Sequence, residues 1–463
     1  MTVPPALVNR VIFPLHEWFK GKPTHARLRD LEKSQWLAPG ALRELQFRRV
    51  LRLVQYAYRE VPYYTQLLDE HGLSPARIRS LEDFARIPIL TRDLVRERFD
   101  DLRPRNGPAR VQRINSGGST GVPVSVLVDR DRMAMTDACR LRAHRWFGVD
   151  MGAREVCLWG SPIEVSKQDH VRWLRDRLIN SRLLSAFHIS EPALARYADV
   201  VWRYRPEKIF AYASAAYLLA RYARERGRRA GPGWPRVVFT TAEPLHEWAR
   251  RGIEEVFGCP AAEEYGCREV GVIAHECPER GLHVNAEGVF VEVLPGPGAL
   301  PGESGEVIAT SLESWAMPLI RYRPGDVVSG LLTATCACGR GLPRLAGIEG
   351  RRSDFLVTPD GRVMHGLAAA YVIRETAAIR EAVREFQVVQ DQLDHVRVKV
   401  VPGAGFSPDI PGAIASGLAR LFDHRITVDV EVVSAIDRLA SGKHRDVIST
   451  VADTYLESII QTR

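Results

Sequence analysis

Lysine is scarce in this chain of 463 residues: seven of its 64 basic residues are lysines (Lys20, Lys22, Lys33, Lys167, Lys208, Lys399 and Lys443), and the rest are arginines. A lysine inside a motif is therefore less readily dismissed as filler. Cysteine is sparse too, with seven residues spread along the chain. An odd number without a secretion signal excludes a disulfide framework and leaves reduced thiols or a metal site. Long apolar runs are missing. No window approaches the roughly 18 uninterrupted apolar residues of a membrane span, and the first twenty residues are broken by Asn9, Arg10, His16 and Glu17. One-sided charge is lacking as well: 64 basic and 56 acidic residues leave a net +8, scattered rather than blocked. The expectation is a soluble, cytoplasmic protein with no membrane span.

With 45% apolar and 26% charged residues, 36 glycines and 29 prolines, the composition is that of an ordinary globular protein. The length is about three times a 150-residue domain, which predicts more than one domain. From about Arg43 to Asp100 the chain reads as helices with apolar stripes, interrupted at Val61-Pro62-Tyr63-Tyr64. From Val111 onward short strand candidates (Val124–Val128, Glu155–Trp159, Lys208–Ala211, Val237–Thr241) alternate with helical stretches near 131–147, 214–227 and 245–257, the pattern of an α/β sheet. Runs at Val289–Leu294 and Glu306–Thr310 predict a β-rich part. After Gly350 a smaller unit follows, with strands near 387–390, 396–401 and 427–433 around helices.

Five segments carry chemistry. Ser116-Gly117-Gly118-Ser119-Thr120-Gly121-Val122-Pro123 has the composition of a phosphate loop, in which glycines let several N–H groups turn toward one anion and hydroxyls add donors. It lacks the Gly-Lys-Ser/Thr of a Walker loop, and a plain Gly/Ser hairpin is the competing reading. Tyr265-Gly266-Cys267-Arg268-Glu269 follows Thr240-Thr241-Ala242-Glu243-Pro244. Pro318 to Asp326 ends in a carboxylate after a glycine turn, suited to a ribose diol; Gly350-Arg351-Arg352-Ser353-Asp354 and Ser441-Gly442-Lys443-His444-Arg445 come later. Singly, each of these could be a solvated turn.

Their order resembles the adenylate-forming acyl-CoA synthetase superfamily, and within it the phenylacetate–coenzyme A ligase branch with its capsular-polysaccharide-associated relatives. The similarity extends to Val61–Tyr64, Gly281-Leu282-His283, Cys336 to Arg340 and Pro343-Arg344-Leu345, and so spans nearly the whole chain. The resemblance implies an α/β fold with a large N-terminal domain (1–349) and a small mobile α+β C-terminal domain (350–463). The large domain would hold a helical cap (1–100) and a β-rich part (270–349). It implies an ATP-dependent reaction in which a carboxylate forms an acyl-adenylate and pyrophosphate, and an acceptor, usually coenzyme A, then displaces AMP. An aryl or arylacetic acid fits the branch. Ser116 to Gly121 match the triphosphate loop, Ala242, Glu243 and Pro244 the adenine-side segment, and Tyr265 the aromatic on the base. Glu269 matches the magnesium-associated glutamate, Asp326 the ribose aspartate and Arg351 a ribose or phosphate arginine. Ser353 and Asp354 match the hinge, and Lys443 the mobile lysine of the adenylation step. Trp159, Tyr212, Ala213 and Ser214 are candidates for the acyl pocket, although aromatics at such points also serve as core. Three positions depart from the pattern: Arg268 stands where Thr or Ser is common, Val122 where many members have Lys, and Ser353 where an Asp is common.

Cys277, His283, Cys336 and Cys338 offer the three thiolates and one imidazole that structural zinc favours, and similar positions bind zinc in some members of the branch. Buried free thiols with a surface histidine are the alternative. Two other functional readings compete. The acyl group could pass to an amine, hydroxyl or sugar instead of coenzyme A. The basic balance with Cys-x-Cys could instead mark a zinc-stabilised nucleic-acid-binding protein, but no basic patch interleaved with aromatics supports that. The expected partners are small molecules, not nucleic acid, and a homodimer is compatible with the branch.

Overall fold

The computed structural model describes residues 2–116, 124–159, 175–186, 191–295, 304–332, 334–351, 355–360, 363–365, 367–374, 379, 381–437 and 445–452. Gly117, Gly118, Ser119, Thr120, Gly121, Val122, Ser353, Asp354 and Lys443 lie outside them, as does the side chain of Arg351.

The first hundred residues are helical. The longest helix, Pro39–Glu60, buries Leu42, Gln46, Val50, Leu53, Val54 and Ala57 at three- and four-residue spacings, which is one face of an α-helix. It stops where Pro62 forces Val61 into an extended conformation, and that proline opens the next helix, Pro62–Glu70. These helices pack against the β-rich part. The Tyr64 hydroxyl donates to the Pro318 carbonyl (3.0 Å) and accepts the Ile320 N–H (2.9 Å). Leu90 exchanges backbone bonds with Arg321 and Arg323, so the cap positions the Pro318–Asp326 motif.

The hairpin β1 (Val111–Asn115) and β2 (Ser125–Asp129) leads into the helix Arg130–Trp146, which Asp129 caps. The strands that follow are β3 (Glu155–Trp159), β4 (Ser181–Ser185), β5 (Lys208–Tyr212), β6 (Val237–Thr241), β7 (Ala261–Cys267), β8 (Gly271–Glu276) and β9 (Leu282–Val284). Next come β10 (Val289–Pro295), β11 (Gly305–Ser311), β12 (Asp326–Val328), β13 (Leu331–Leu332), β14 (Arg344–Leu345) and β15 (Ile348–Arg351). One sheet has the order β13-β14-β9-β8-β7-β6-β5-β3-β4, parallel from β4 to β7 and antiparallel beyond. Strands β5 and β6 are buried along their whole length, as parallel strands covered on both faces must be. Helices Glu191–Tyr204, Ala213–Glu225 and Glu247–Phe257 share one core with this sheet, while Phe147, Phe210 and Phe239 belong to another. A second sheet, β10-β11-β12-β15, carries Asp326 at the start of β12, in register with Arg351.

The chain then forms the pair β16 (Phe355–Val357) and β17 (Val363–His365) and a sheet of order β20-β19-β18-β21. Its strands are β18 (Val383–Gln392), β19 (His395–Pro402), β20 (Thr427–Val432) and β21 (Val447–Ser449). Helices Leu367–Arg374 and Asp409–Leu421 pack on it around Phe386, Val398, Ile414 and Leu418, a core separate from those before it. The architecture is the expected α/β fold with an α+β C-terminal part. Among the described residues, no helix is long and apolar enough to cross a membrane.

Candidate active site

Strands β3, β5 and β6 are parallel, so their last residues, Trp159, Tyr212 and Thr241, lie along one end of the sheet, where ligands of open α/β sheets bind. Beyond β6, Ala242 takes a left-handed conformation (φ 69°), strained for a residue with a β-carbon and typical of functional turns. The turn sends Glu243 to the start of the helix Ala213–Glu225, where its carboxylate accepts the Ser214 N–H at 2.8 Å. Two further carboxylates brace the segment: Glu263 accepts the Leu245 N–H (3.0 Å) and Glu264 the Thr241 hydroxyl (3.3 Å). Burial pushes the Glu263 carboxyl up to about 7, against the pull of the Leu245 N–H. Burial also opposes charge on Glu264, but Arg140, bidentate at 2.7 Å to each oxygen, and His275 at 3.0 Å outweigh it and hold that carboxyl well below its usual range.

Tyr265 lies inside β7 rather than after a strand, and its hydroxyl donates to the Asp326 carboxylate at 2.9 Å, both residues being buried. Gly266 is required there, because a β-carbon would meet the Gly271 carbonyl oxygen at 2.5 Å across the β7–β8 pair. Glu269, also buried, accepts the Tyr322 hydroxyl (3.2 Å) and lies 3.8 Å from the Arg92 guanidinium, which donates to the Pro324 carbonyl at 2.8 Å. Burial works against the Arg92 charge, but Tyr322, Glu269 and Asp326 raise its pKa overall. The turn carrying Glu269 is held from below by Arg132, which donates to the Arg268 and Val270 carbonyls. Arg268 donates to the Asn115 carbonyl at 3.2 Å, so this departure from the family pattern ties the Glu269 turn to the end of β1. Ser116 follows at once, its hydroxyl accepting the Val124 N–H at 2.8 Å.

Tyr265, Glu269 and Asp326 thus gather at one place, with Ala242–Pro244 leaving the adjacent strand β6 and the Ser116 hairpin tied in through Arg268. Asp326 is in register with the backbone of Arg351. Asp446, three residues past Lys443, pairs with His246, two past Pro244, at 3.4 Å. Sequence reasoning missed Arg92, Arg140, Glu263, Glu264 and His275. The adjacent Glu263-Glu264 pair beside Tyr265 was the one available signal. Of the acyl-pocket candidates, Trp159 packs on Tyr212 (ring centroids 4.4 Å) and Phe210 (5.7 Å), with the Arg140 guanidinium 5.1 Å above the Phe210 ring. Ala213 and Ser214 open the next helix.

Away from this end of the sheet, the ligand atoms of Cys277, His283, Cys336 and Cys338 all lie within 4.8 Å of one another. The Cys277 and Cys336 sulfurs are 3.8 Å apart, matching the roughly 3.8 Å edge implied by Zn–S bonds of about 2.3 Å in a tetrahedron, and His283 Nε2 lies 3.1 Å from the Cys338 sulfur. His283 Nδ1 faces the Leu342 carbonyl (3.1 Å), which leaves Nε2 for a metal, and burial brings its pKa down to about 4, favouring the neutral ligand form. The donor set and its spacing fit zinc.

A family model described as the CapK C-terminal domain matches residues 356–450. The chain is 29% identical over 410 residues to a phenylacetate–coenzyme A ligase of Thermus thermophilus, covering 83% of this chain and 87% of that protein. It is 25% identical over 411 residues to Protein CapK of Staphylococcus aureus, covering 88% and 89%. The fold is that of a 2-hydroxyisobutyryl-CoA ligase solved in the postadenylation state, with a TM-score of 0.70 at 19% identity over 93% of this chain and 94% of that one. Over more than four-fifths of its length the chain is thus similar to a phenylacetate–coenzyme A ligase and to a CapK protein, its last part matches the CapK C-terminal model, and its fold is that of an acyl-CoA ligase.

Proposed function

We propose that this protein is an AMP-forming acid–thiol ligase. A carboxylate oxygen attacks the α-phosphorus of ATP and expels pyrophosphate. The coenzyme A sulfur, giving up its proton, then attacks the acyl carbon and expels AMP. The observation that carries this reading is the meeting of Tyr265, Asp326 and Glu269 beside Ala242–Pro244 at the carboxyl end of the parallel strands, in a chain whose relatives include named coenzyme A ligases.

Both reactants of the first step are anions, so the site must supply donors and positive charge as negative charge builds on the phosphate oxygens. Ser116 to Gly121 would supply N–H and hydroxyl donors to the triphosphate. Tyr265 would pack on the base while its hydroxyl fixes Asp326 for the ribose diol, and Arg351 would reach the ribose or phosphate. Glu269 offers the hard oxygen that magnesium takes, and that ion would neutralise charge on the triphosphate. Lys443 would approach the α-phosphate in the first step and withdraw in the second, as the part beyond about residue 350 turns about Ser353–Asp354. The separate core that begins at Leu356 supports this division.

The stack of Trp159, Tyr212 and Phe210 favours an aryl or arylacetic acid. Zinc at Cys277, His283, Cys336 and Cys338 would have four protein ligands and hence a structural role. The nucleic-acid reading is disfavoured because many arginines are spent internally, as in Arg142–Glu287, Arg250–Glu276 and Arg321–Glu292. With small-molecule substrates and no membrane-crossing helix among the described residues, we place the protein in the cytoplasm.

The test is pyrophosphate release over a panel of carboxylic acids, with and without coenzyme A. Release with an aromatic acid, enhanced by coenzyme A, is expected, and Lys443→Ala should cut acid-dependent pyrophosphate exchange on the order of a hundredfold while largely preserving thiolysis of a supplied acyl-adenylate. Undiminished exchange in that variant would remove Lys443 from the mechanism. Transfer to an amine, hydroxyl or sugar in place of coenzyme A would reassign the acceptor.

A further inference from the structure

The N-terminal helix turns the wrong face outward for a protein surrounded by water. Pro5–Leu7, the π-helical turn Val8–Ile12 and Phe13–Lys20 run as one continuous helical segment. Val8, Phe13 and Glu17 point inward, while Leu7 (45% exposed), Val11 (44%), Leu15 (51%), Trp18 (71%) and Phe19 (76%) face solvent. Their spacing of four, four, three and one residues places them on one side of a helix. The segment is fixed on the body: Asn9 donates to Asp150 (2.8 Å), and Val3 and Asn180 exchange hydrogen bonds. Trp18 and Phe19 stand edge to face at 5.1 Å, and Gly21 ends the helix in a left-handed turn. The apolar face is therefore preformed.

Charge says what covers it. Glu17 is the single acid among residues 2–22, and it is turned inward onto Lys22 (3.2 Å) and Thr24. Arg10 and Lys20 remain exposed on the helix. Beside Trp18 and Gly21 lies a groove of about 650 Å³ lined also by Arg110 and Arg130, neither of which makes an ion pair among the described residues. The acids along that groove are occupied: Asp129 accepts the N–H groups of Arg132, Trp315 and Ala316, and Asp131 pairs with Arg27 at 3.3 Å. A second copy docking here in a two-fold pair would bring Arg10 and Lys20 against the same cationic face. An apolar strip with Trp and Phe at its end, flanked by cations without ion pairs among the described residues, its nearby acids Asp131 and Asp137 each paired with a cation, suits an anionic lipid surface, which takes apolar side chains below its headgroups and holds cations at phosphate level.

We propose that the face Leu7–Val11–Leu15–Trp18–Phe19, with Arg10, Lys20, Arg110 and Arg130 around it, docks this protein reversibly on the surface of anionic phospholipid bilayers. The inference is independent of the acid ligase reading, because none of these residues belongs to that site. Flotation of the full chain with phosphatidylcholine vesicles, with and without about 30 mol % phosphatidylglycerol, tests it. Binding to the anionic vesicles is expected, weakened at least about tenfold by Trp18→Ala/Phe19→Ala and by Arg10→Glu/Lys20→Glu, with thermal midpoints unchanged. Three results would overturn the proposal. The folded wild-type chain could fail to bind either vesicle. The aromatic variant could bind as tightly as wild type. Or light scattering could show a dimer that the aromatic variant dissociates, which would give the face to a second copy or, if a mixed complex formed, to a protein partner.

Discussion

At the scale of single residues, the Tyr265 hydroxyl is the group on which the arrangement of the site turns. It donates to Asp326, 61 positions away, at 2.9 Å, both residues being buried. A hydrogen bond to a charged partner contributes about 1.5–3 kcal/mol. Tyr265→Phe keeps the ring and removes the bond to Asp326. Its expected effect is a rise of about tenfold in KM for ATP with a smaller change in kcat, since orientation of the carboxylate proposed to hold the ribose is lost before any chemistry. Steady-state kinetics at varied ATP measures it, and an unchanged KM would mean that Asp326 is held by other contacts. Arg92 shows what residue letters hide. It reaches Glu269 and the Pro324 carbonyl only because the helix Arg92–Glu97 packs beside the Pro318–Asp326 segment, and nothing around Thr91-Arg92-Asp93 distinguishes it from the many other arginines.

At the scale of elements, the cysteine cluster joins two short turns, at 277–281 and 336–339. Cys277 N–H bonds the Gly281 carbonyl and Gly339 N–H the Cys336 carbonyl, and β9 and β14 pair over only two residues each. Gly281 leaves room for a ligand, since a β-carbon there would come within 2.8 Å of the Cys336 sulfur. Around the cluster, Arg340 stacks over Trp36 (5.0 Å) and Trp146 (4.5 Å), which braces the knuckle against the cap. Metal analysis should find one zinc per chain, and Cys338→Ser should lower the thermal midpoint by about 1–2 °C, the consequence of losing about 1–2 kcal/mol in a chain of this size. Chelator-washed protein of unaltered zinc-free stability would make the four residues a thiol cluster without a metal. Strands β3, β5 and β6 of the central sheet were legible from their short, β-branched and aromatic runs, as in Val237–Thr241. The outward-facing apolar residues of the first helix were not, because apolar periodicity identifies a face without saying whether anything covers it.

At the scale of the whole molecule, the contacts between the large part and the C-terminal sheet bear on catalysis. Arg221, buried on the helix Ala213–Glu225, donates to the carbonyls of Val383 (2.8 Å) and Glu381 (2.9 Å), and Arg224 pairs with Glu381 at 3.5 Å. On another edge, His246 meets Asp446. Both contacts hold the two parts together, and the second places Asp446 against His246; under the proposed mechanism this orientation would serve adenylation. Arg221→Ala should therefore reduce acid-dependent pyrophosphate exchange several-fold more than thiolysis of a supplied acyl-adenylate, because only the first step needs this orientation. Equal loss in both steps would make Arg221 a general stabiliser and not a positioning residue.

The sequence by itself indicated the alternation of strands and helices in the central part, the similarity to acyl-CoA ligases, and the candidates for most of the site. Those properties rest on local signals: apolar periodicity, glycine and proline punctuation, and short motifs read in order. Only the tertiary structure decided which distant groups meet. Arg92 beside Glu269, Arg140 bidentate on Glu264 and Arg221 across to Val383 are pairs far apart in the chain, and their partners are fixed by how layers pack rather than by neighbours in sequence. The same reason explains the exposed Trp18 and Phe19: whether an apolar side chain is covered is a property of the assembled surface, which no local pattern contains.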